Sequence, residues 1–416
     1  MLNQQQFYGY SIMMSGRNTF LTGKAGVGKS FVLNKFIEDS QEEGKNVVIV
    51  APTGIAAINI NGVTAHRAFK IPIKPLVEDA KKIPTTIKEA DIIVLDEVSM
   101  ARLDLFDYIA KIIIQASNYR VKYLDKKPIQ FIVSGDFFQL PPVLVDRDRD
   151  ILEDYYGRTI DKGFAFESEY WDYFDFTNVV LSEVVRQSDI NFINALNMTR
   201  VGDSRGLRYF WQNSSKYAID KAIMLCGTNK AAKDKNEYEL SLIKNPEHVF
   251  ETTIIGEVKD SDKVVDDVLY LKVGARVMTL VNDPTLKYQN GSLGTITYIS
   301  ENIIIVEIDS TGELVEIERA SWDVKDYVLE KGKLKQKVVG TYIQFPLKLA
   351  YAITIHKSQG QTYDAINLNP YCWDCGQLYV ALSRVRSIDK LFMTQYPSER
   401  FLITSIDVIN FYKNLT

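Results

Sequence analysis

The sequence predicts an α/β chain: two doubly wound parallel-sheet units, the second carrying a small antiparallel β-barrel. Three observations predict this. First, the runs NVVIVA (46–51), DIIVLD (91–96) and QFIVSGD (130–136) are almost continuously apolar and end in a polar, Gly or helix-starting residue. Strands of that kind are buried on both faces, as in parallel sheets. Second, stretches with helical spacing lie between them, so the strands need crossovers and the ligand side is at their carboxyl ends. Third, the pattern changes near residue 283 to short β runs split by turn residues. A length of 416 residues also exceeds one typical core.

The elements follow in order. NTFLT (18–22) is a short buried strand, and GKSFVLNKFIEDSQEE (28–43) has the apolar spacing of a helix. ARLDLFDYIAKIIIQAS (101–117) reads as a helix covering the sheet. The first unit is expected over residues 1–180, and FTNVVL (176–181) is read as opening the second set of elements. AIMLCGTN (222–229) reads as a strand and KAAKDKNEYELSLI (230–243) as a helix, within a first part spanning 181–282. GSLGTITYIS (291–300), NIIIVEID (302–309) and LVEIERASW (314–322) give the inserted barrel, expected over 283–340. The rest, 341–416, completes the second unit. There Pro346 and Gly360 bracket LKLAYAITIHKSQ (347–359), which favours a helix. The β-branched Ile353, Thr354 and Ile355 leave a strand open as the alternative. YDAINLN (363–369) and LFMTQY (391–396) are closing strands with a helix, GQLYVALSRV (376–385), between them.

Composition narrows the class. A net charge of −4 argues against a tail-driven, histone-like binder of nucleic acid, although a basic channel can sit within an acidic protein. There is no repeat of fixed period, no targeting segment and no run long enough to span a membrane, so a cytoplasmic protein is expected. Three cysteines fit a reducing compartment. Cys372 and Cys375 have the spacing of half a zinc or redox site, but the chain holds only His66, His248 and His356 to complete one. Structural thiols are the simpler reading.

The motifs fall at the predicted strand ends. Gly23-x-x-x-x-Gly28-Lys29-Ser30 follows a strand and opens a helix, the context a phosphate-binding loop requires. Gly23, Ala25, Gly26, Val27, Gly28, Lys29, Ser30 and Phe31 make up the loop and first turn. Backbone N–H groups and the helix N-terminus face the phosphates, Lys29 reaches the β- and γ-phosphates, and Ser30 ligates magnesium. Asp96 and Glu97 end the next strand, one to hold magnesium or its water and one to orient and deprotonate the attacking water. GDFFQLPP (135–142) places Asp136 and Gln139 near the γ-phosphate. Phe137 and Phe138 either pack in the core or stack on bases. Arg186 and Arg384, both assigned to the second unit, are candidates to neutralise charge on the transferred phosphate. IHKSQGQT (355–362) gathers polar donors suited to phosphate contacts, and TAHRAF (64–69) has the same character.

This ordered set resembles the PIF-type DNA helicases of helicase superfamily one. The resemblance rests on LNQQQ, TGKAGVGKS, APTGIAA, TAHRAF, LDEVSM, GDFFQLPPV, FAFES, LSEVVRQ, AITIHKSQGQT and YVALSRV, and covers nearly the whole chain. It implies two RecA-like motor units with ATP bound between them, and a compact core of bacterial or phage type. It implies that Gln6 reads adenine and that Lys29, Ser30, Asp96, Glu97, Gln139, Arg186, Gly360 and Arg384 form the ATP site, with magnesium as cofactor. Pro52, Thr53, Gly54, His66, Phe69, His356, Lys357 and Thr362 match motifs that track single-stranded DNA. The family's wedge element follows TAHRAF. Here it falls in about 70–90, is short and has no clear aromatic pin. The resemblance further implies 5′-to-3′ translocation, duplex unwinding, G-quadruplex unwinding in some members, and action at single/double-strand junctions as a monomer or as a dimer on DNA. Roles in replication, repair, recombination or telomere-type maintenance follow from it. The rival reading from the residues is a P-loop motor or switch subunit of a recombination complex.

Overall fold

Six strands, β1 (Thr19–Gly23), β2 (Val47–Ala51), β3 (Val63–Thr64), β4 (Ile92–Leu95), β5 (Gln130–Gly135) and β6 (Thr177–Leu181), form one sheet in the order β3-β2-β4-β5-β1-β6. All pairs are parallel. Successive side chains serve opposite faces, as the two-residue period of a strand demands. Phe20, Val48, Ile93 and Phe131 enter one core with the helix Leu103–Tyr123. Their neighbours Leu21, Ile49, Val94 and Ile132 enter another with the helix Lys29–Glu42. Both faces are covered, which is why β1, β2, β4 and β5 are buried at every residue.

The computed structural model describes residues 2–415 apart from 73, 79–81, 284, 286, 331 and 332. It divides into two units: Met1–Arg186 with Lys325–Lys337 and Ser405–Thr416, and Gln187–Val324 with Val338–Thr404. Three placements differ from the sequence reading. FTNVVL does not open the second unit; β6 pairs with β1 from Thr19↔Thr177 to Gly23↔Leu181. The C-terminal helix Ile406–Leu415 belongs to the first unit, where Val408, Phe411, Tyr412 and Leu415 recur at helical spacing along its packed face. The Phe411 ring lies 4.3 Å from that of Phe166 at 13°. Residues Lys325–Lys337 also join the first unit. There the Tyr327 hydroxyl accepts from the Ile49 N–H at 3.1 Å, and the Leu334 N–H donates to Asn46 Oδ1 at 3.0 Å. β3 reaches only Val50 and Ala51 of β2, so the tyrosine takes a backbone donor that the short edge strand leaves uncovered.

The second unit contains β7 (Ile223–Cys226), β8 (Glu247–Glu251), β9 (Thr253–Gly256), β10 (Val268–Lys272), β11 (Arg276–Thr279), β12 (Leu293–Ile299), β13 (Ile304–Ile308) and β14 (Leu314–Ile317). These are followed by β15 (Ala320–Glu330) and β16 (Lys333–Gln344), each divided between the two units, and by β17 (Leu347–Leu349), β18 (Ala352–Thr354), β19 (Ile366–Leu368) and β20 (Leu391–Met393). A parallel sheet has the order β18-β7-β19-β20. An antiparallel sheet has the order β14-β13-β12-β11-β17. Its core also draws on Phe250, Leu269, Leu271, Phe345 and Leu347, so the inserted β region is wider than 283–340. The favoured helix over 347–359 is not formed. Ala352, Ile353 and Thr354 are buried as a strand beside β7, the role their β-branched side chains suit, and only His356–Ser358 turns as a 3-10 helix. Among the described residues, no helix is long and apolar enough to cross a membrane.

Candidate nucleotide site and nucleic-acid interface

The loop after β1 is shaped by glycine. Gly23, Gly26 and Gly28 have φ of +151°, +80° and +83°. A Cβ at Gly23 would sit 2.3 Å from the Leu181 carbonyl oxygen, so that position has no room for a side chain, and at Gly28 the left-handed φ itself disfavours one. Lys29 Nζ donates to the Gly23 carbonyl at 2.8 Å and to the Lys24 carbonyl at 3.3 Å, which folds the cation back over its own loop. Ala25 and Val27 are buried, whereas Ser30 and Phe31 are exposed at the start of the helix Lys29–Glu42.

Gln6 is the glutamine that meets this loop. Its Nε2 donates to the Val27 carbonyl at 3.1 Å, and its Oε1 accepts from the Asn3 N–H at 3.0 Å within a capping box. Gln5 is engaged elsewhere, donating to Ser182 Oγ at 2.8 Å.

β4 and β5 end beside β1 in the same sheet and bring the acidic pair into this region. Asp96 is buried. Burial pushes its carboxyl above the ordinary carboxylate range, while the neighbouring Ser134, the Glu97 N–H and the Lys29 cation pull the other way. Glu97 is left-handed at φ +51°, a costly conformation for a residue with a side chain and one that marks functional turns. The Asp96 carboxylate and the exposed Ser30 hydroxyl are hard oxygen donors of the kind magnesium takes. Gln139 is buried in the turn after β5, where its N–H donates to the Asp136 carbonyl at 2.9 Å.

The C-terminal helix buttresses these strand ends, which sequence reasoning missed. The Tyr412 hydroxyl lies 2.6 Å from Thr22 Oγ1, accepts from the Phe137 N–H at 3.2 Å and donates to Asp136 Oδ1 at 3.4 Å. It therefore ties the root of the phosphate loop to the Asp136–Gln139 turn. Its signal in the sequence is the amphipathic spacing of IDVINFYKNL.

The two arginines occupy different settings. Arg186 is not in the second unit; it ends the first, directly after Val185, whose N–H donates to the Gly26 carbonyl at 2.9 Å. Arg384 belongs to the second unit and is 1% exposed. Its Nη1 donates to the Ser358 and Gln361 carbonyls, both at 3.1 Å, and its Nε to the Val380 carbonyl at 2.8 Å. It clamps IHKSQGQT onto the helix Gln377–Leu382, and Gly360 turns that segment at φ +78°.

Of the residues expected to meet nucleic acid, two are in the core. Phe69 is buried, and Phe138 is buried with its ring 4.9 Å from that of Tyr412. Neither offers a face to a base, because the apolar rings complete the core between sheet and helices. The rest stand at strand ends. Pro52, Thr53 and Gly54 follow β2, with Thr53 Oγ1 accepting from the Ala56 N–H at 3.3 Å as a helix cap. His66 lies in the helix Ala65–Ala68. Lys357 and Thr362 are exposed, and His356 is half-buried, its imidazole held below the usual value by burial against an opposing pull from Asp374. The expected wedge overlaps residues 73 and 79–81, which lie outside the described residues. Before them, Lys70 pairs with Asp326, and the Leu76 N–H donates to Asp104 at 2.9 Å. The three thiols are buried, and burial pushes Cys226 up to about 11 and Cys372 up to about 12, which keeps both protonated and inert. Among the described residues, no group of three or more His, Cys, Asp or Glu could hold a metal.

Comparison with known proteins bears on this geometry. A family model described as PIF1-like helicase matches residues 3–205. The ATP-dependent DNA helicase Pif1 of Campylobacter jejuni is 31% identical, over 95% of this chain and 94% of that one. Bacteroides Pif1 in complex with ADP-AlF4 superposes with a TM-score of 0.84 at 33% identity, over 100% of this chain and 97% of that one. Bacteroides Pif1 bound to ssDNA superposes with a TM-score of 0.70 at 33% identity, over the same shares. With relatives matched along almost their whole length, and the phosphate loop, acidic pair and glutamine turn set at adjoining strand ends, this chain belongs to the PIF1-like helicase family.

Proposed function

We propose that the protein is an ATP-dependent DNA helicase that translocates 5′ to 3′ on single-stranded DNA and unwinds duplexes at single/double-strand junctions. The observation that carries this reading is the convergence of Lys29, Asp96, Glu97 and Gln139 at the carboxyl ends of β1, β4 and β5. In the proposed cycle, Lys29 and the loop N–H groups hold the β- and γ-phosphates and Gln6 borders the adenine. Ser30 and Asp96 would hold magnesium, which supplies charge neutralisation on the phosphates when bound. Glu97 orients and deprotonates the attacking water, and Gln139 senses the γ-phosphate. Arg186 and Arg384 stabilise the charge that develops on the transferred group. Pro52, Thr53, Gly54, His66, His356, Lys357 and Thr362 contact the DNA backbone, so grip is largely independent of base sequence. Alternating grip by the two units converts each hydrolysis into a step. The names of the relatives, and their complexes with ADP-AlF4 and ssDNA, support this assignment. Action as a monomer in the cytoplasm of a bacterial or phage-infected cell completes the reading.

The test is unwinding of duplexes carrying 5′ or 3′ single-stranded tails, with and without ATP. Unwinding of the 5′-tailed substrate alone, dependent on ATP, is expected. Failure on both substrates, with an ATPase rate indifferent to single-stranded DNA, would overturn the proposal.

A further inference from the structure

Trp373 is a large apolar side chain held in the open. It is 58% exposed, yet its position is fixed. Its indole Nε1 donates to the Gly227 carbonyl at 2.8 Å, and its backbone N–H donates to Oε1 of the buried Gln377 at 3.1 Å. The segment that carries it is pinned further, because a Cβ at Gly227 would sit 2.3 Å from the Tyr371 carbonyl oxygen. With its one polar atom satisfied by the backbone, the indole presents an apolar surface to water. Leaving that face in water gains nothing for folding, whereas a ligand that stacks on it meets a group whose ordering cost is already met.

Its place in the fold suggests the ligand. Gly227 follows β7, His356 follows β18 and Trp373 follows β19, so the three stand at the carboxyl ends of adjoining parallel strands, where α/β sheets bind ligands. The His356 ring lies 6.3 Å from the indole at 24°, two aromatic planes of similar orientation. Lys357, the next residue, is exposed. Aromatic faces beside a cation are the usual means of holding single-stranded nucleic acid without reading its sequence.

We propose that Trp373 is a stacking platform for a base of single-stranded DNA, next to the backbone contacts of His356 and Lys357. The inference rests on the helicase reading and adds a base contact to it. The probe is oligo(dT) with a fluorescent label, titrated by anisotropy against wild type, Trp373→Phe and Trp373→Ala at several salt concentrations. Trp373→Ala should weaken binding about tenfold or more, and Trp373→Phe, which keeps a ring, by less than about threefold. Stacking releases no counterions, so the logarithmic salt slope should be the same in all three proteins. Oligo(dT) should also quench indole emission in wild type and quench it much less in Trp373→Phe, a readout that holds even if the alanine variant fails to fold. Equal affinity in Trp373→Ala, or undiminished quenching in Trp373→Phe, overturns the platform while leaving the helicase reading in place. A wild-type protein that binds no oligo(dT) overturns both.

Discussion

The carboxyl ends of the two parallel sheets make an instructive pair. In the first sheet the loops are turned by glycines and lined by Lys29, Asp96, Glu97 and Gln139, with the acidic partner Asp96 buried. In the second, the strand ends carry a segment clamped by Arg384 and an exposed indole beside a half-buried imidazole. One edge is built to concentrate charge where water is scarce, the other to lay flat surfaces and cations in the open. Under the proposed function, the same strand geometry would serve cleavage at one sheet and grip at the other, and the division lies in the loops.

Substitutions can break that division. Lys29→Ala should abolish ATP turnover while leaving nucleotide-free oligonucleotide affinity within about twofold of wild type, measured by phosphate release and anisotropy. A comparable loss of DNA binding would mean that the two edges are not separate. Glu97→Gln should retain nucleotide and lower kcat by about a hundredfold to ten-thousandfold, as expected when a general base is removed. The arginines sharpen the contrast. Arg186→Ala should cut kcat by about a thousandfold with little change in melting midpoint, the signature of charge stabilisation. Arg384→Ala should also cost about 2–4 kcal/mol of stability, because the Ser358 and Gln361 carbonyls lose a buried charged donor. Differential scanning calorimetry beside steady-state kinetics separates the two. The smallest effect is expected from Tyr412→Phe, which keeps the ring and removes one hydroxyl. A loss of about 1 kcal/mol in stability, with kcat lowered only a fewfold, would place the tyrosine as a brace of the first edge.

Much of this was legible before any coordinates. The runs that became β2, β4 and β5 announced buried strands because apolar residues occupied both faces, and the loop after β1 carried its own conformational requirement in Gly23 and Gly28. What was illegible depended on distant partners. FTNVVL looks like any half-buried strand, and only pairing with β1 assigns it to the first sheet. Phe138 and Phe69 sit in polar motifs, and nothing local says that the Tyr412 ring or the core beneath will cover them. AITI balances helix-compatible flanks against β-branched residues, and the empty place beside β7 decided for a strand. Arg186 was misplaced for a similar reason: a backbone bond from its neighbour to Gly26 fixes its unit, and backbone bonds leave no trace in composition.

The chain passes from one unit to the other at four points, after Arg186, Val324, Lys337 and Thr404. During synthesis, residues up to Arg186 emerge long before the hairpin tip that covers Ile49 and the helix that braces Thr22. A ribosome adding about 5–20 residues per second therefore leaves the nascent first unit with bare rings and an open strand edge until codons 405–416 are read. Gene fragments ending near codon 186 should give insoluble product, and any dissection of this enzyme must carry its tail along.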